Sequence, residues 1–424
     1  VDADAAKVAF SKNGQFSDGN GNYNQGVNVA SGGQVSIDGT GPYFFAVADT
    51  SSSRDPQFSL NFGQRAFSSS IPSGYQKLNS QNLPEPTIPL PDKHFDTLLW
   101  TANASTQTIS GLNFSPDLVW GKSRDDSYDH ELYDTVRGTL KRLKSNLAQN
   151  ELSHAGNLTA FTSDGFTLGS QTNMNFNSGS DIVGWNWDAG DSTVTNTDGT
   201  ISSQVRANTT AGFSIASWVS DGSGSPSSFG HGLGVRPDFI FIKSRDASQN
   251  WQCWSSTFSN TTNNFLVLNL SDGTQTAGAA MWGTIDSSVV NFRHSANSSN
   301  GDDMIGYFFS EVAGYSKFGT YTGNGNSNGS FVFTGFRPAW ILIKKSSGNS
   351  RWQINDIKRN PENVTDALLF AEDSIAESAS SSHDMDLLSN GFKHRNTEGE
   401  LNGNGEKFIY LAFAESPFKY ARAR

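Results

Sequence analysis

The stretch that decides the fold is VRPDFIFIKS, at residues 235–244, in which a proline introduces a run of apolar residues. Val, Ile and Phe favour β-strands, and proline is tolerated where a strand begins. Two further copies of this pattern are FSPDLVWGKS at 114–123 and FRPAWILIKK at 336–345. In each copy a lysine follows the proline by six residues, as Lys243 follows Pro237. The sequence therefore predicts three equivalent strands.

A second apolar strand follows each of these three at a nearly constant distance. Its copies are IVGWNW at 182–187, MIGYFF at 304–309 and FIYLAF at 408–413. The last aromatic residue lies 71, 72 and 75 residues after the proline. A spacing of roughly one hundred residues between copies is too long for a solenoid unit. We therefore predict one domain that is repeated three times.

The composition fits a β protein that has an aromatic core. Gly occurs 42 times and Phe 30 times, with 10 Trp and 10 Tyr, whereas charged residues make up only 17%. Strands joined by Gly, Asn and Ser turns have this composition. The net charge of −11 argues against a nucleic-acid partner, which would require a basic surface. Cys253 is the only cysteine, so no internal disulfide can form.

The prolines mark the clearest domain boundary. Four of them fall in LPEPTIPLP at 83–91, which cannot form a helix or a central strand and is expected to be a stiff linker. Before it, residues 1–82 carry short β runs. After it, the predicted repeats cover 92–197, 198–314 and 315–424. No run of about 18 apolar residues is present, so we expect no membrane insertion.

Residues 141–147 are ambiguous between helix and strand. Leu140, Leu143 and Leu147 have helical spacing, but the equivalent stretch of the second copy, at 265–270, is rich in strand-forming residues. We therefore predict a strand that places Leu143, Ser145 and Leu147 on one face.

No catalytic signature is found in the chain. The glycine-rich segment 230–234 lacks a nucleophilic serine, and no histidine pair has metal-ligand spacing. We therefore predict no enzymatic activity and no cofactor, and we assign no residues to a metal site. A pair of carboxylates that cleaves glycosides could still form in space, which sequence cannot show.

Four aromatic residues are candidates for contact with a receptor. Trp251, Trp254 and Trp352 follow polar turns, and Tyr133 occupies a loosely similar place in the first copy. Trp and Tyr rings on loops stack on sugars and anchor interfaces. Alternating strand positions would bury the same rings, so core packing is the alternative.

Several segments resemble known families. NFGQRAF at 61–67, IPSGY at 71–75 and LNSQNLPEP at 78–86 resemble the end of SPRY-like domains of phage tail proteins. Residues 94–415 resemble an uncharacterised repeated domain that follows such segments in tail fibre proteins of marine phages. The stretches that carry this second resemblance are LYDTVRG at 132–138, SDGFTLG at 163–169, NTTAGFS at 208–214, GYSKFG at 314–319 and TGFRPA at 334–339.

The resemblance implies an all-β fold, in which a partial SPRY-like β-sandwich precedes three homologous antiparallel β-sandwich-like repeats. It also implies an extracellular position on the virion, in the distal part of a tail fibre that binds a host glycan or outer-membrane protein. A homotrimer and contacts with other tail or baseplate proteins are expected on the same ground. The alternatives are a polysaccharide-degrading tailspike and a structural or self-assembling filament without receptor binding.

Overall fold

The computed structural model describes residues 7–9, 11–12, 15–16, 34–36, 82–294 and 298–421. The chain divides into two units, Val1–Leu83 and Pro84–Arg424. The division falls at the start of the proline-rich segment that the sequence marks as a boundary. In the first unit the described strands are β1 (Lys7–Ala9), β2 (Ser11–Lys12), β3 (Gln15–Phe16) and β4 (Gln34–Ser36). The SPRY-like stretches 61–67 and 71–75, and residues 78–81 of the third, lie outside the described residues.

The second unit is built from strands, and the described residues contain no α-helix. The first repeat contains β5 (Phe95–Thr101), β6 (Gln107–Ser110), β7 (Leu118–Ser123), β8 (Glu131–Asp134), β9 (Lys141–Arg142), β10 (Leu152–Ser153), β11 (Leu158–Thr162), β12 (Gly165–Leu168) and β13 (Asp181–Trp187).

The second repeat contains β14 (Thr193–Asn196), β15 (Ser203–Asn208), β16 (Phe213–Val219), β17 (Ser227–Gly230), β18 (Phe239–Ser244), β19 (Gln252–Ser255), β20 (Asn264–Val267), β21 (Gln275–Thr276), β22 (Trp282–Ile285), β23 (Val289–Phe292) and β24 (Asp303–Phe309). The third contains β25 (Ser316–Thr322), β26 (Phe331–Phe333), β27 (Phe336–Lys345), β28 (Trp352–Asp356), β29 (Ala367–Phe370), β30 (Ser378–Ala379), β31 (Met385–Leu388), β32 (Gly391–His394) and β33 (Lys407–Pro417). Short 3-10 turns occur at Pro91–Lys93 and Ser381–His383.

The strand order confirms the internal repeat. The main sheets run β5-β13-β7-β8, β16-β24-β18-β19-β20-β21 and β25-β33-β27-β28-β29-β30, and β14 and β15 extend the second one. Each repeat also has a small three-stranded sheet, which is β11-β12-β6, β22-β23-β17 or β31-β32-β26. The closing strand has the same register in each copy, because Trp187 pairs with Leu118, Phe309 with Phe239 and Phe413 with Trp340.

Each repeat is a β-sandwich formed by its main and small sheets. In the first repeat Val119, Ile182 and Phe166 pack between the two sheets. In the third, Ile341 and Phe392 pack in the same way. The strand that follows the proline and the closing strand of each repeat are hydrogen-bonded neighbours in one sheet.

The opposite face of each main sheet packs against the other two repeats. The rings of Trp187, Phe309 and Phe413 meet at the centre, with centroid distances of 5.7 Å from Trp187 to Phe413 and 6.0 Å from Phe309 to Phe413. These three residues are equivalent, so the repeats lie around a pseudo-three-fold axis. The void that remains on this axis is about 10 Å³, at the lower limit of the space that one water molecule needs.

Residues 141–147 are not helical, but the predicted strand is too long. Strand β9 covers Lys141–Arg142, a single bridge joins Leu143 to Leu132, and a turn follows. Leu143 and Ser145 are buried, whereas Leu147 is exposed. At the turn the Ser145 hydroxyl donates a hydrogen bond of 2.6 Å to the carbonyl of Ala371 in the third repeat.

The lysine that follows each proline by six residues has a structural role. Lys122, Lys243 and Lys344 are fully buried, and each Nζ donates to two backbone carbonyls. Because alternate residues of a strand share a face, each lysine ends the row of side chains that points toward the axis. Burial lowers the pKa of Lys243 to about 7, and those of Lys122 and Lys344 to about 8.

Stability should therefore rise with pH through the contribution of Lys243. Between the folded pKa of about 7 and the ordinary value of 10.5, the unfolded chain binds this proton and the folded chain does not. One such proton gives a slope of about 1.4 kcal/mol per pH unit. We expect the free energy of unfolding of the wild type to rise relative to Lys243→Met from pH 7 upward, as measured by urea denaturation. A difference that is constant with pH would contradict an uncharged buried amine.

Candidate functional site

The four aromatic candidates from the sequence are all buried, which corrects their assignment to a receptor-binding surface. Tyr133 and Trp254 occupy the same position in β8 and β19, facing the small sheet of their own repeat. The Tyr133 hydroxyl donates to Glu131 at 2.8 Å, and the Trp254 indole donates to the carbonyl of Thr261 at 2.8 Å. Both rings are core residues, so the alternative that the sequence left open is the one that holds.

Trp251 and Trp352 lie between repeats. The indole of Trp251 donates to the carbonyl of Lys144 at 2.8 Å, and that of Trp352 to the carbonyl of Val267 at 3.0 Å. At the equivalent position of the first repeat, a ring nitrogen of His130 lies 2.9 Å from the carbonyl of Phe370. These three side chains attach each repeat to the one before it, and the third repeat to the first.

The repeats therefore form a closed ring with three interfaces, which we name 1–2, 2–3 and 3–1 after the repeats that meet. A backbone hydrogen bond recurs at the same place in each interface. It runs from the amide of one repeat to a carbonyl of the next, and its copies are Glu151 to Arg245 at 2.7 Å, Thr274 to Ser346 at 3.0 Å and Glu377 to Arg124 at 2.6 Å.

Side chains fill the 1–2 interface with a buried ionic network. Glu151 accepts from Arg245 at 2.9 Å and from Arg137 at 3.2 Å. Arg137 also pairs with Asp134, which accepts a hydrogen bond of 2.7 Å from the Tyr307 hydroxyl of the second repeat. Burial alone would raise the pKa of Glu151, but the two guanidinium groups hold it below its usual range.

The 3–1 interface carries the same network. Glu377 accepts from Arg124 at 2.7 Å and from Arg359 at 2.9 Å. Arg359 pairs with Asp356 at 2.6 Å, and Asp356 accepts from the indole of Trp185 at 3.0 Å. Burial opposes ionisation of Glu377, yet its two arginine partners again lower its pKa. Both interfaces thus carry long, paired charged side chains at this position. A separate cleft of about 790 Å³, lined by Asp96 and Lys358 among others, lies elsewhere between the third and first repeats.

The 2–3 interface lacks this network. Ser255 replaces the aspartate, and Phe258 replaces the arginine that follows it by three residues. Thr274 and Ser346 form the backbone hydrogen bond that recurs in each interface, at positions where the other two interfaces have glutamate and arginine. These short side chains cannot span the interface, and an open cleft lies there instead.

The cleft has a volume of about 510 Å³, within the range of about 300–1,000 Å³ that small-molecule sites occupy. Hydroxyl and amide groups dominate its walls. The residues that line it are Thr257, Phe258, Ser259, Asn264, Thr274, Thr276, Thr320, Tyr321, Thr322, Ser346, Ser347, Lys407 and Ile409. The ring of Tyr321 packs against Phe408 in the sandwich of the third repeat, where its hydroxyl donates a hydrogen bond of 2.7 Å to the carbonyl of Leu401. The serine, threonine and asparagine side chains of the lining can form adaptable polar contacts with ligands.

The charge of the cleft differs from that of the chain as a whole. Lys407 is its one charged lining residue, and no carboxylate lines it. The nearby Glu406 is paired with Lys345 at 3.0 Å and also accepts a hydrogen bond from Ser347. The cleft is therefore cationic within a chain whose net charge is −11.

The sequence contains a signal for this site, but the aromatic residues directed the prediction to other positions. The segments DTVR at 134–137 and DIKR at 356–359 are alike, whereas the second copy has SSTF at 255–258. A buried charged pair that is absent from one of three copies marks the interface that differs. The signal can be interpreted only when the copies are known to contact one another.

The parts of the chain that the structure describes also bear on metal, thiol and membrane sites. No group of three or more His, Cys, Asp or Glu side chains is placed to hold a metal ion there. Cys253 is buried, and burial raises the pKa of its thiol. None of the helices in the described ranges is long and apolar enough to cross a membrane.

Comparison with known proteins identifies a family but no characterised relative. Neither the curated proteins nor the solved structures include a match to this chain. One family matches, described as Domain of unknown function (DUF7483), and its match covers residues 90–417, which are most of the chain and all three repeats. The chain belongs to the DUF7483 family.

Proposed function

We propose that this chain is the distal part of a bacteriophage tail fibre and binds the host cell surface through the 2–3 cleft. The observation that carries the proposal is the break in symmetry. The same position between repeats is filled by an ionic network in the 1–2 and 3–1 interfaces, and in the 2–3 interface a hydroxyl-lined cleft of about 510 Å³ takes its place. The extracellular position on a virion comes from the resemblance of residues 94–415 to tail fibre proteins of marine phages.

The walls of the cleft suit binding better than glycoside cleavage. Hydrolysis of a glycosidic bond generally requires two carboxylates on either side of the bond. The lining of this cleft offers hydroxyls, one amide, one lysine and aromatic or aliphatic side chains. Such groups can hold a surface glycan, or a loop of an outer-membrane protein, without acting on it chemically.

A homotrimer and contacts with other tail or baseplate proteins belong to the proposal through the resemblance alone. The chain already arranges three equivalent repeats around its own axis, so a trimer is not needed to bury the axis-facing aromatic residues. The role of a homotrimer would be to present three clefts at once, so that weak contacts sum by multivalency. Light scattering on the full chain, which distinguishes one copy from three, tests this part.

The decisive experiment fills the cleft with the network that the chain uses elsewhere. The variant Ser255→Asp/Phe258→Arg/Thr274→Glu/Ser346→Arg introduces the residue types of Asp134, Arg137, Glu151 and Arg245 at the equivalent positions of the 2–3 interface. We expect the full-length wild type to bind bacterial surface polysaccharides or outer-membrane vesicles on an array. The filled variant should bind at least tenfold more weakly, because its side chains occupy the space of the ligand.

The control is Ser225→Arg, which adds a cation at an exposed loop position of the second repeat, outside the cleft. It should bind as the wild type does. Thermal melting of both variants shows whether the fold is retained. Undiminished binding by a folded, filled variant would remove the cleft from the proposal. A wild type that binds no host surface would favour a structural filament instead.

A further inference from the structure

The charge of the 2–3 cleft bears on the ligand it would accept, an inference that rests on the proposed function. The same backbone hydrogen bond locates one position in each repeat. Its copies are Arg124 to Asp181, Arg245 to Asp303 and Ser346 to Lys407, with a length of 2.8 Å in every case. The acceptor residue is an aspartate in two repeats and a lysine in the third.

This exchange reverses the local charge. In the 1–2 interface Asp303 lies 3.3 Å from Arg245, so the acid compensates the arginine. In the 2–3 interface the arginine is replaced by Ser346 and the aspartate by Lys407. The arginine–aspartate pair has become a serine–lysine pair, and the lysine ammonium has no anionic partner at the equivalent position.

Few acidic side chains lie near Lys407 to neutralise its positive charge. Its side chain is exposed and forms no ion pair with any residue that the structure describes. Glu406, the acid next to it in sequence, is held by Lys345 and Ser347. The glutamate of the other two interfaces is here Thr274, which carries no charge. An anion that enters the cleft would thus meet one free ammonium and no repelling carboxylate on the walls.

We propose that the 2–3 cleft binds an acidic glycan, whose carboxylate, sulfate or phosphate group lies at Lys407. Hydroxyl groups of Thr276, Thr320 and Thr322 line the same cleft and suit the hydroxyls of a sugar ring. A nucleic acid fits less well, because it needs several cations along its backbone and the chain is acidic overall. The anionic group supplies the charge contact, and the sugar supplies the polar contacts.

The test measures binding of the full chain to three probes by biolayer interferometry. The probes are alginate oligosaccharides, which carry carboxylates, heparin oligosaccharides, which carry sulfates, and neutral dextran oligosaccharides. We expect one of the acidic probes to bind, and to bind more weakly at about 0.5 M than at about 0.05 M salt because salt screens exposed charges. Dextran should bind at least tenfold more weakly than that probe.

The diagnostic variant is Lys407→Asp, which restores the residue type of the other two repeats. It should lower affinity for the acidic probe by about tenfold or more and leave binding of dextran unchanged. The control is Lys393→Asp, which reverses a charge that contacts Asn328 outside the cleft. This control should retain the affinity of the wild type for every probe.

The outcomes separate the two proposals. Binding of dextran that is as tight as that of either acidic probe, lost in the filled variant and unchanged in Lys407→Asp, would overturn the acidic ligand and keep the cleft as a binding site. No binding of either acidic probe at about 1 mM would likewise overturn it. Binding of an acidic probe that the filled variant retains would overturn the cleft itself, and with it the inference about Lys407.

Discussion

Replacing Trp340 by alanine is expected to lower the free energy of unfolding of all three repeats together, by about 3–5 kcal/mol. Trp340 belongs to the third repeat, but its ring lies 5.6 Å from that of Trp187 and 6.2 Å from that of Phe95, both in the first. It also lies 5.9 Å from Phe413 of its own repeat. The loss of this ring leaves a cavity on the shared axis, where no single repeat can collapse to fill it.

Hydrogen exchange followed by mass spectrometry would show which repeats respond. Peptides from the first and second repeats should lose protection in Trp340→Ala as much as peptides from the third. Phe392→Ala is the matched control, because this ring is equally buried but packs within the sandwich of the third repeat. Loss of protection confined to the third repeat in both variants would mean that the repeats fold independently.

Replacing Arg137 by methionine should cost a similar amount, about 3–5 kcal/mol. The change leaves the buried carboxylate of Asp134 without its cation, although Tyr307 still donates to it at 2.7 Å. A buried charge that loses its only oppositely charged partner keeps its desolvation penalty and loses the compensating attraction. Urea denaturation at neutral pH measures the loss.

The second repeat indicates how to reverse this loss. The double variant Asp134→Ser/Arg137→Phe copies Ser255 and Phe258, which occupy these positions without any charge. Because hydrophobic residues can replace a buried ion pair at little cost, we expect it to recover most of the stability lost in Arg137→Met. A double variant no more stable than the single one would show that the unpaired charge is not the cause.

The sequence was sufficient to predict the strands and their repetition. The Pro–Lys spacing located β7, β18 and β27, and the aromatic endings located β13, β24 and β33. These signals are local, because a strand that is buried along its length must carry apolar residues at successive positions. The extent of the strand at Lys141–Arg142 was overestimated, since the bond from Ser145 to another repeat was not visible in the sequence.

The arrangement of the repeats was harder to predict. Strands such as FIFIKS at 239–244 are buried at every position, whereas a sheet with one wet face alternates apolar and polar residues. This continuous pattern means that both faces of the main sheet are covered. The small sheet of the same repeat covers only one face of the main sheet. Another part of the chain must therefore cover the opposite face. Sequence spacing does not show that it comes from the other two repeats.

The aromatic residues gave a wrong prediction of the binding surface for the same reason. Trp251 and Trp352 follow polar turns, which suggested exposure, but those turns meet the neighbouring repeat. The cleft, in contrast, is formed by residues such as Thr274 and Ser346 that carry no signal of their own. Their significance lies in what the other copies have in their place, which requires knowledge of the ring.

The closed ring also affects how the chain can be made. Its last interface joins Arg124 to Glu377, which are 253 residues apart, so the ring cannot close until the third repeat has left the ribosome. Until then the axis-facing rings of Trp187 and Phe309 have no partner from the third repeat. A nascent chain therefore exposes apolar aromatic surface for most of its synthesis, and surface of this kind favours aggregation until it is buried.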